Sequence, residues 1–490
     1  MSNKKIFEDY IFGYADAELE FSRTKKIFED AFYDPKNIVD KLINDHEFIL
    51  IGRKGVGKTA FGAKIRSLSE KDYNLKTNLM SLSKFEFNTF NKLKISELDG
   101  TQKYKSSWDL TLLIYIYKLF RDKYEFTEVK EINERIEFLE KNGLLSGKNV
   151  NSIIRKLSKK SFQFDIKIFK LNNENEYEDG KLTYGEVSEY LLEGLSYIYY
   201  GDIKVRIIID GLDDMLRFKK ERLTMISGLI RSINELNIEF TSEEIPMKII
   251  LLAREDILAS IIDPDFNKIK RDAGIVINWN TKDDELKNMV KLRFKLSGIK
   301  EDDLDGQWDK LFPRMIKSKT SWDYVTEFTL NRPRDILQFL VQCQKNYPNN
   351  SSLSYSELDR VLISYSIDYF IEEMKNELAG FIDDEAISAI PQVLQIIGGS
   401  DFTDIEFKKH MAKIIPDKQD TYYKQILLTL FENGYLGQVT RTKQWDKELK
   451  KDVIKNKVFF KHKQPTARIN YECKFSTHKG LYKALNITKK

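Results

Sequence analysis

A glycine-rich run near residue 50 carries the clearest chemistry in the sequence. Gly52 is followed after four residues by Gly57-Lys58-Thr59, which is the spacing of a phosphate-binding loop. The glycines let backbone N–H groups approach phosphate oxygens, Lys58 can reach the β- and γ-phosphates, and the Thr59 hydroxyl can ligate Mg²⁺. The run therefore predicts a nucleoside triphosphate site, formed by Gly52, Arg53, Lys54, Gly55, Val56, Gly57, Lys58, Thr59 and Ala60.

The residues on both sides of this loop favour the same interpretation. The apolar run Phe48–Ile51 precedes it, as a buried strand would, and the helix-compatible segment 60–68 follows it. A strand, a glycine-rich turn and a helix N-terminus together place a positive potential at the phosphates. A chance match of a glycine-rich turn would not require these flanks.

A second acidic motif lies about 150 residues later. The run Lys204–Asp210 predicts a strand that ends in Asp210, where a carboxylate can hold Mg²⁺ as in a Walker B strand. Gly211 follows in place of the usual glutamate, and Asp213 and Asp214 come next. Either of these two acids could orient or deprotonate the attacking water, so both are candidate catalytic residues.

Further apolar runs predict a mostly parallel α/β sheet. They are segments 78–82, 247–253 and 274–279, and helical segments separate them. Ligands of such sheets bind at the carboxyl ends of the strands. Arg254 lies at such an end and could sense the γ-phosphate, although a salt bridge to the neighbouring acids explains it equally well.

Together these motifs resemble the STAND and NACHT class of signalling P-loop ATPases. The resemblance rests on Gly52–Thr59, on segment 207–214 and on Leu251-Leu-Ala-Arg-Glu-Asp256, and Asn331–Ile336 resembles the proline motif of that class. The two chain ends resemble an uncharacterised bacterial family of P-loop ATPases within it. The resemblance implies an ATP- and Mg²⁺-dependent switch that forms a homo-oligomer, acts in anti-phage or stress responses and works with a separate effector.

Around the core, the sequence predicts three further parts. Residues 1–46 form an N-terminal helical segment, and residues 47–280 form the P-loop ATPase domain with a helical insertion at about 86–200. Within the insertion, segment 108–120 predicts a buried helix and segment 161–169 a half-buried strand. Residues 281–380 read as a helical lid. Arg332 and Arg334 lie near its end, where an arginine can reach the nucleotide, and helix capping or salt bridging is the alternative for them. Residues 381–490 have the order of elements of a winged-helix domain, with three short helices followed by segments 434–439 and 457–461.

Composition excludes several other classes of protein. The 490 residues contain 41% hydrophobic side chains, and no apolar run approaches the ~20 residues that span a bilayer. Two distant cysteines and four dispersed histidines form no metal-ligand spacing. We expect a cytoplasmic globular protein with no membrane segment. Segment 441–490 has 15 basic and 4 acidic residues, which makes DNA a candidate partner.

Two rival NTPase classes fit less well. Thr281-Lys-Asp-Asp284 matches a guanine-selecting pattern, but a helix start with Thr281 as N-cap explains it better, and no Asp-x-x-Gly follows Asp210 or Asp213. The signature of an ABC ATPase is absent before Asp210. Two functions stay open: an ATP-hydrolysing switch, and an ATP-gated DNA-binding protein with little turnover. Phosphate release measured with and without DNA separates them.

Overall fold

A computed structural model gives the arrangement of the chain. It describes residues 4–93, 100–123, 126, 129–147, 149–159, 162–164, 182–212, 220–261, 263–280, 284–446 and 451–488. Contacts divide the chain into two compact units. The sheet unit comprises residues 36–52 and 61–277, and the lid unit comprises residues 1–35, 53–60 and 278–490.

The described residues form α-helices along the whole chain. In chain order they are α1 Ala17–Arg23, α2 Lys25–Asp30, α3 Ile38–Asn44, α4 Lys58–Ser69, α5 Phe87–Phe90, α6 Gly100–Lys123, α7 Lys130–Lys141, α8 Val150–Leu157, α9 Tyr184–Ser196, α10 Lys220–Ser242, α11 Glu255–Ala259, α12 Pro264–Ala273, α13 Glu285–Leu296, α14 Leu304–Leu311, α15 Ser321–Thr326, α16 Pro333–Asn346, α17 Tyr355–Tyr365, α18 Ile371–Leu378, α19 Asp384–Ile397, α20 Asp404–Ile414, α21 Asp420–Glu432 and α22 Tyr482–Leu485.

The described residues also form strands. In chain order they are β1 Ile49–Gly52, β2 Leu75–Ser81, β3 Lys204–Asp210, β4 Met247–Arg254, β5 Gly274–Val276, β6 Met315–Ile316, β7 Lys319–Thr320, β8 Asp401–Phe402, β9 Leu436–Asp446, β10 Lys451–Phe460 and β11 Phe475–Thr477.

The sheet unit is built on a five-stranded parallel sheet in the order β2-β3-β4-β1-β5. Every residue of β1 and β4 is buried, which explains why both strands are rich in apolar side chains. The register aligns Gly52 with Arg254 and Ser81 with Asp210, so these residues share the carboxyl edge. This sheet with its intervening glycine-rich loop is the P-loop NTPase fold that the sequence predicts.

Helices of the predicted insertion pack on the same unit. The central helix is α6, which is buried on nearly all sides and contacts α7, α8, α9 and α10. The Trp108 indole N–H donates to the Met225 carbonyl at 3.0 Å, and the Trp108 ring stacks on Phe85. The prediction of a buried helix at residues 108–120 is therefore confirmed. The predicted strand at 161–169 lies largely outside the described residues.

In the lid unit, the N-terminal segment packs against the helices that follow residue 284. The Arg293 guanidinium on α13 donates to both carboxylate oxygens of Glu20 on α1, at 2.6 and 2.9 Å, and both side chains are buried. Tyr10 and Phe12 pack their rings against Phe294. The helices α13–α18 lie within residues 281–380, for which a helical lid stays a prediction. α13 begins at Glu285 with Asp284 as N-cap, so the expectation of Thr281 as its N-cap is wrong.

The C-terminal part of the lid unit has the order of elements of a winged helix: α19, β8, α20, α21, β9 and β10. Its four-stranded sheet runs β10-β9-β11-β8. β9 and β10 pair antiparallel over ten residue pairs, from Gly437 opposite Phe460 to Asp446 opposite Lys451. The sequence predicted only segments 434–439 and 457–461 of this hairpin.

The four-part division predicted from the sequence, with boundaries at 46, 280 and 380, stays a prediction. In the described part of the chain, no helix is long and apolar enough to cross a bilayer.

Candidate nucleotide site

The phosphate loop occupies the segment between β1 and α4. β1 ends at Gly52 and α4 begins at Lys58, so the loop leads directly into a helix N-terminus. Gly55 and Gly57 have φ angles of 80° and 97°, in the region that glycine adopts without steric cost. A Cβ added to Gly57 would meet only the Ala60 Cβ, at 3.9 Å, so the backbone of Gly57 is open to a phosphate.

Lys58 is held close to the loop. Only 9% of its surface is exposed, and its Nζ donates to the Arg53 carbonyl at 3.1 Å. A lysine in this position can turn toward a phosphate with a small change of side-chain torsion. The loop and lysine therefore fit a nucleotide polyphosphate in the way that the spacing predicts.

The indole of Trp279 supports the loop from another side. Its N–H donates to the Val56 carbonyl at 2.9 Å, and its ring lies 6.2 Å from that of Tyr33. The sequence analysis treated Trp279 only as the end of a strand. An indole N–H needs a partner when it is buried, but the sequence does not say which carbonyl supplies it.

Arg332 anchors the loop from the lid helices. Its Nη1 donates to the Lys54 carbonyl at 2.9 Å. The Arg332 Nε would lie 3.4 Å from a Cβ added to Gly55, so a larger residue at position 55 would crowd the guanidinium. The backbone of two loop residues is thus fitted around one arginine side chain.

Two buried carboxylates hold this guanidinium. Asp335 accepts from Nη2 at 2.9 Å and from Nε at 3.2 Å, and Glu377 accepts from Nη1. Burial alone would lower the pKa of Arg332, but Asp335 and Glu377 raise it well above its ordinary value. The Tyr369 and Tyr435 hydroxyls donate to Asp335 and Glu377, at 2.8 and 2.9 Å.

Arg334 and the loop residues Arg53 and Lys54 extend the network. The Arg334 guanidinium donates to Glu373 at 3.0 Å, and the Lys54 Nζ lies 3.8 Å from the same carboxylate oxygen. The Arg53 guanidinium donates to the carbonyl of Glu432, the last residue of α21. Cations at a helix C-terminus complement its dipole. The loop thus contacts Arg332, Glu373 on α18 and the last residue of α21.

In the sheet unit, Asp210 and Arg254 occupy the carboxyl edge as predicted. β4 separates β3 from β1, so Asp210 and Gly52 end strands two positions apart. The Asp210 carboxylate accepts from the Gly211 N–H at 2.7 Å. Arg254 is buried and its guanidinium forms an ion pair with Asp256. The salt bridge to a neighbouring acid is therefore present, and a role of Arg254 as a γ-phosphate sensor stays a prediction.

The two candidate catalytic acids, Asp213 and Asp214, lie outside the described residues. The contact of Arg332 and Arg334 with a nucleotide likewise stays a prediction. Glu377, which accepts from Arg332, and Tyr435, which donates to Glu377, lie on other elements and were not predicted from the sequence. Only Asp335, three residues along the same helix, carried a local signal.

The lid helices match a known family model. It is described as the FunZ-associated C-terminal helical domain, and it covers residues 284–372. Among curated proteins, the chain is similar to the transposon gamma-delta 80.3 kDa protein of Escherichia coli (strain K12), with 23% identity over 340 residues. That alignment covers 67% of this chain and 46% of the relative, so the chain spans about half the length of that protein.

Two solved structures of archaeal proteins are similar at low identity. One is Cdc6p from Pyrobaculum aerophilum, with 13% identity and a TM-score of 0.30, covering 94% of this chain and 96% of that one. The other is the Aeropyrum pernix ORC1 protein in complex with DNA, with 11% identity and a TM-score of 0.35, covering 90% and 88%. The assignment of the P-loop fold rests on the strand order and loop geometry described above.

Proposed function

We propose that this chain is an ATP-binding, Mg²⁺-dependent ATP-hydrolysing switch. The observation that carries the proposal is the set of contacts on the phosphate loop. Arg332 donates to the Lys54 carbonyl, and Arg53 donates to the carbonyl at the end of α21. The same loop that would hold the phosphates is therefore tied to the lid helices and to the winged-helix segment. Exchange of the nucleotide bound at the loop would therefore alter the hydrogen bonds that Arg332 and Arg53 make.

The residues that would hold the nucleotide are those of the loop. The open backbone at Gly57 would donate to phosphate oxygens, and the Lys58 ammonium would pair with the β- and γ-phosphates. A Mg²⁺ ion held here would supply positive charge that offsets the negative charge of the phosphates. The Thr59 hydroxyl and the Asp210 carboxylate would hold it, because both are the oxygen ligands that Mg²⁺ prefers.

The proposal also includes the oligomeric state and the cellular role of the protein. We infer a homo-oligomer whose state depends on the bound nucleotide, acting in the cytoplasm in anti-phage or stress signalling with a separate effector. The resemblance of segments 52–59, 207–214, 251–256 and 331–336 to the STAND and NACHT class supports it. Native mass measurement with ADP and with a slowly hydrolysed ATP analogue tests the oligomer, and one unchanged monomer mass in both would contradict it.

Phosphate release tests the enzymatic part. The protein should release phosphate from ATP only with Mg²⁺, and Asp210→Asn should abolish most of this release because the metal loses a carboxylate ligand. Asp202→Asn, at an exposed acid in the turn before β3, is the matched control and should behave as the unchanged protein. If the Asp210→Asn variant released phosphate as fast as the unchanged protein, the assignment of Asp210 as a Mg²⁺ ligand would be contradicted.

A second candidate function, DNA binding, is supported by the β9–β10 hairpin. Arg441 and Lys443 on β9, and Lys451 and Lys457 on β10, are all exposed. The hairpin also exposes the Trp445 and Ile454 side chains, 63% and 66% of whose surfaces face solvent. A basic ribbon with exposed apolar side chains suits a polyanionic duplex. In this function ATP would gate DNA binding with little turnover.

A further inference from the structure

A cleft of about 440 Å³ in the lid unit has no role in the site described so far. Its volume lies within the range of small-molecule sites in proteins. Two tryptophans, Trp279 and Trp322, line it, and each ring is fixed by a neighbour. The Trp279 N–H donates to the Val56 carbonyl, and Trp322 packs edge-to-face on Trp308 with ring centroids 4.7 Å apart. Rigid aromatic walls of this kind suit a planar ring.

The cleft adjoins the phosphate loop at two points. Trp279 lines the cleft and holds the Val56 carbonyl. Asn331 also lines it and immediately precedes Arg332, which holds the Lys54 carbonyl. The walls of the cleft are therefore attached to both sides of Gly55. A ligand whose phosphates lie on the loop could extend its remaining part into this space.

The backbone of the cleft carries unusual conformations. Asp284 and Asn331 have φ angles of 50° and 54°, in the left-handed region that costs a non-glycine residue energy. Such residues concentrate at ligand sites, where the surrounding structure holds them in place. The Asp284 carbonyl is held by the N–H groups of Lys287 and Asn288, at 2.8 and 3.0 Å. These bonds fix the position from which its carboxylate extends.

The cleft contains both hydrogen-bond acceptors and hydrogen-bond donors. The Asp284 carboxylate makes no hydrogen bond to its own helix, and it offers acceptors to a ligand N–H. Lys287 and Lys463 supply donors. Burial lowers the pKa of Lys463, although the Glu327 carboxylate acts in the opposite direction. Donors, acceptors and aromatic rings together are what recognition of a heteroaromatic base requires.

We propose that this cleft binds the adenine base of the nucleotide held by the phosphate loop, with Trp279 and Trp322 against the ring and the Asp284 carboxylate accepting from the 6-amino group. This inference rests on the proposed function, because it assigns the base of the same nucleotide. Asp284 is then a specificity-determining residue. A purine with a carbonyl at position 6 would place an acceptor against the carboxylate and would bind more weakly.

Binding of three ligands to the unchanged protein and to the Asp284→Ala variant tests the proposal. Calorimetry would measure binding of ATP, of ITP, which carries a carbonyl in place of the 6-amino group, and of inorganic tripolyphosphate, which has no base. The unchanged protein should bind ATP at least about tenfold more tightly than ITP. Asp284→Ala should remove this preference and leave tripolyphosphate binding unchanged. Asp302→Ala, at an exposed acid of the same unit, is the control.

The outcomes separate this inference from the proposed function. An ATP-to-ITP preference that survives Asp284→Ala overturns the assignment of the carboxylate, and tighter binding of ITP or GTP than of ATP overturns the choice of adenine. Unchanged tryptophan fluorescence of the unchanged protein on saturation with ATP overturns the aromatic walls. If neither ATP nor tripolyphosphate binds, the assignment of the phosphate-binding loop is wrong, and the proposed function is then contradicted together with this inference.

Discussion

Replacement of Arg332 by methionine is the most informative perturbation of the buried network. Arg332 is 3% exposed and Asp335 and Glu377 are buried beside it. Methionine fills a similar volume without a charge, so the two carboxylates would lose the cation between them. The Lys54 carbonyl would also lose its donor. Both the stability of the lid helices and the fixation of the phosphate loop should therefore suffer.

The expected magnitude follows from the burial of the pair. Removing one partner of a buried ion pair typically costs about 3–5 kcal/mol, because the remaining charge stays buried without compensation. Here two carboxylates remain buried without their cation, so the cost of Arg332→Met should lie in this range.

Hydrogen exchange read by mass spectrometry would measure this effect. The opening free energy of the amides in α16 and α18, extrapolated from a urea series, should fall by about 3–5 kcal/mol in Arg332→Met. The triple variant Arg332→Met, Asp335→Asn, Glu377→Gln should recover most of the loss, because no buried charge is then left. A cost below about 1 kcal/mol would refute this reasoning, since that is the value of an exposed ion pair.

Three further predictions concern other parts of the molecule. Asp213→Asn and Asp214→Asn should leave the ATP affinity measured by calorimetry unchanged and lower kcat. An unchanged kcat in both variants would mean that another residue is the catalytic acid. The hydrogen bonds from Arg231 hold the pKa of Asp263 at about 2, below its ordinary value of 3.8. Asp263→Asn should therefore cost about 2 kcal/mol at pH 7, and the difference should disappear as the pH falls from about 4 to 2 in chemical denaturation. If the hairpin contacts phosphates of a duplex, reversing Lys451 and Lys457 should reduce the salt slope of DNA binding by about 2, whereas Lys300→Glu should leave it unchanged; no DNA retention by the unchanged protein at about 50 mM salt would contradict the second function.

The sheet was predictable because its signal is local. β3 runs over Lys204–Asp210, the segment predicted from its apolar run and terminal acid, and β1 and β4 follow their runs within one residue. Strands buried on both faces are rich in apolar residues, and the few charged ones here, such as Arg206 and Lys248, do not obscure the pattern. The phosphate loop was predictable for the same reason, since its spacing lies within eight residues.

The β9–β10 hairpin and the network around Arg332 were harder to predict from the sequence. β9 and β10 are longer than predicted, and their outer ends carry exposed charged residues such as Arg441, Lys443 and Lys457 in place of an apolar run. The partners Lys54 and Glu377 are remote from Arg332 in sequence, and only the fold brings them together. The left-handed conformation of Asp284 is likewise set by its surroundings rather than by its neighbours in the chain.

Calorimetric titration of ATP with Mg²⁺ into the unchanged protein and into Lys58→Ala tests the central claim most directly. The Lys58 ammonium beside the loop should contribute about 2–4 kcal/mol to binding, so the variant should lose at least about 30-fold in affinity. Lys300→Ala, at an exposed lysine of the same unit, should bind as the unchanged protein does. Equal affinity of the Lys58→Ala variant and the unchanged protein would contradict the assignment of a phosphate-binding loop.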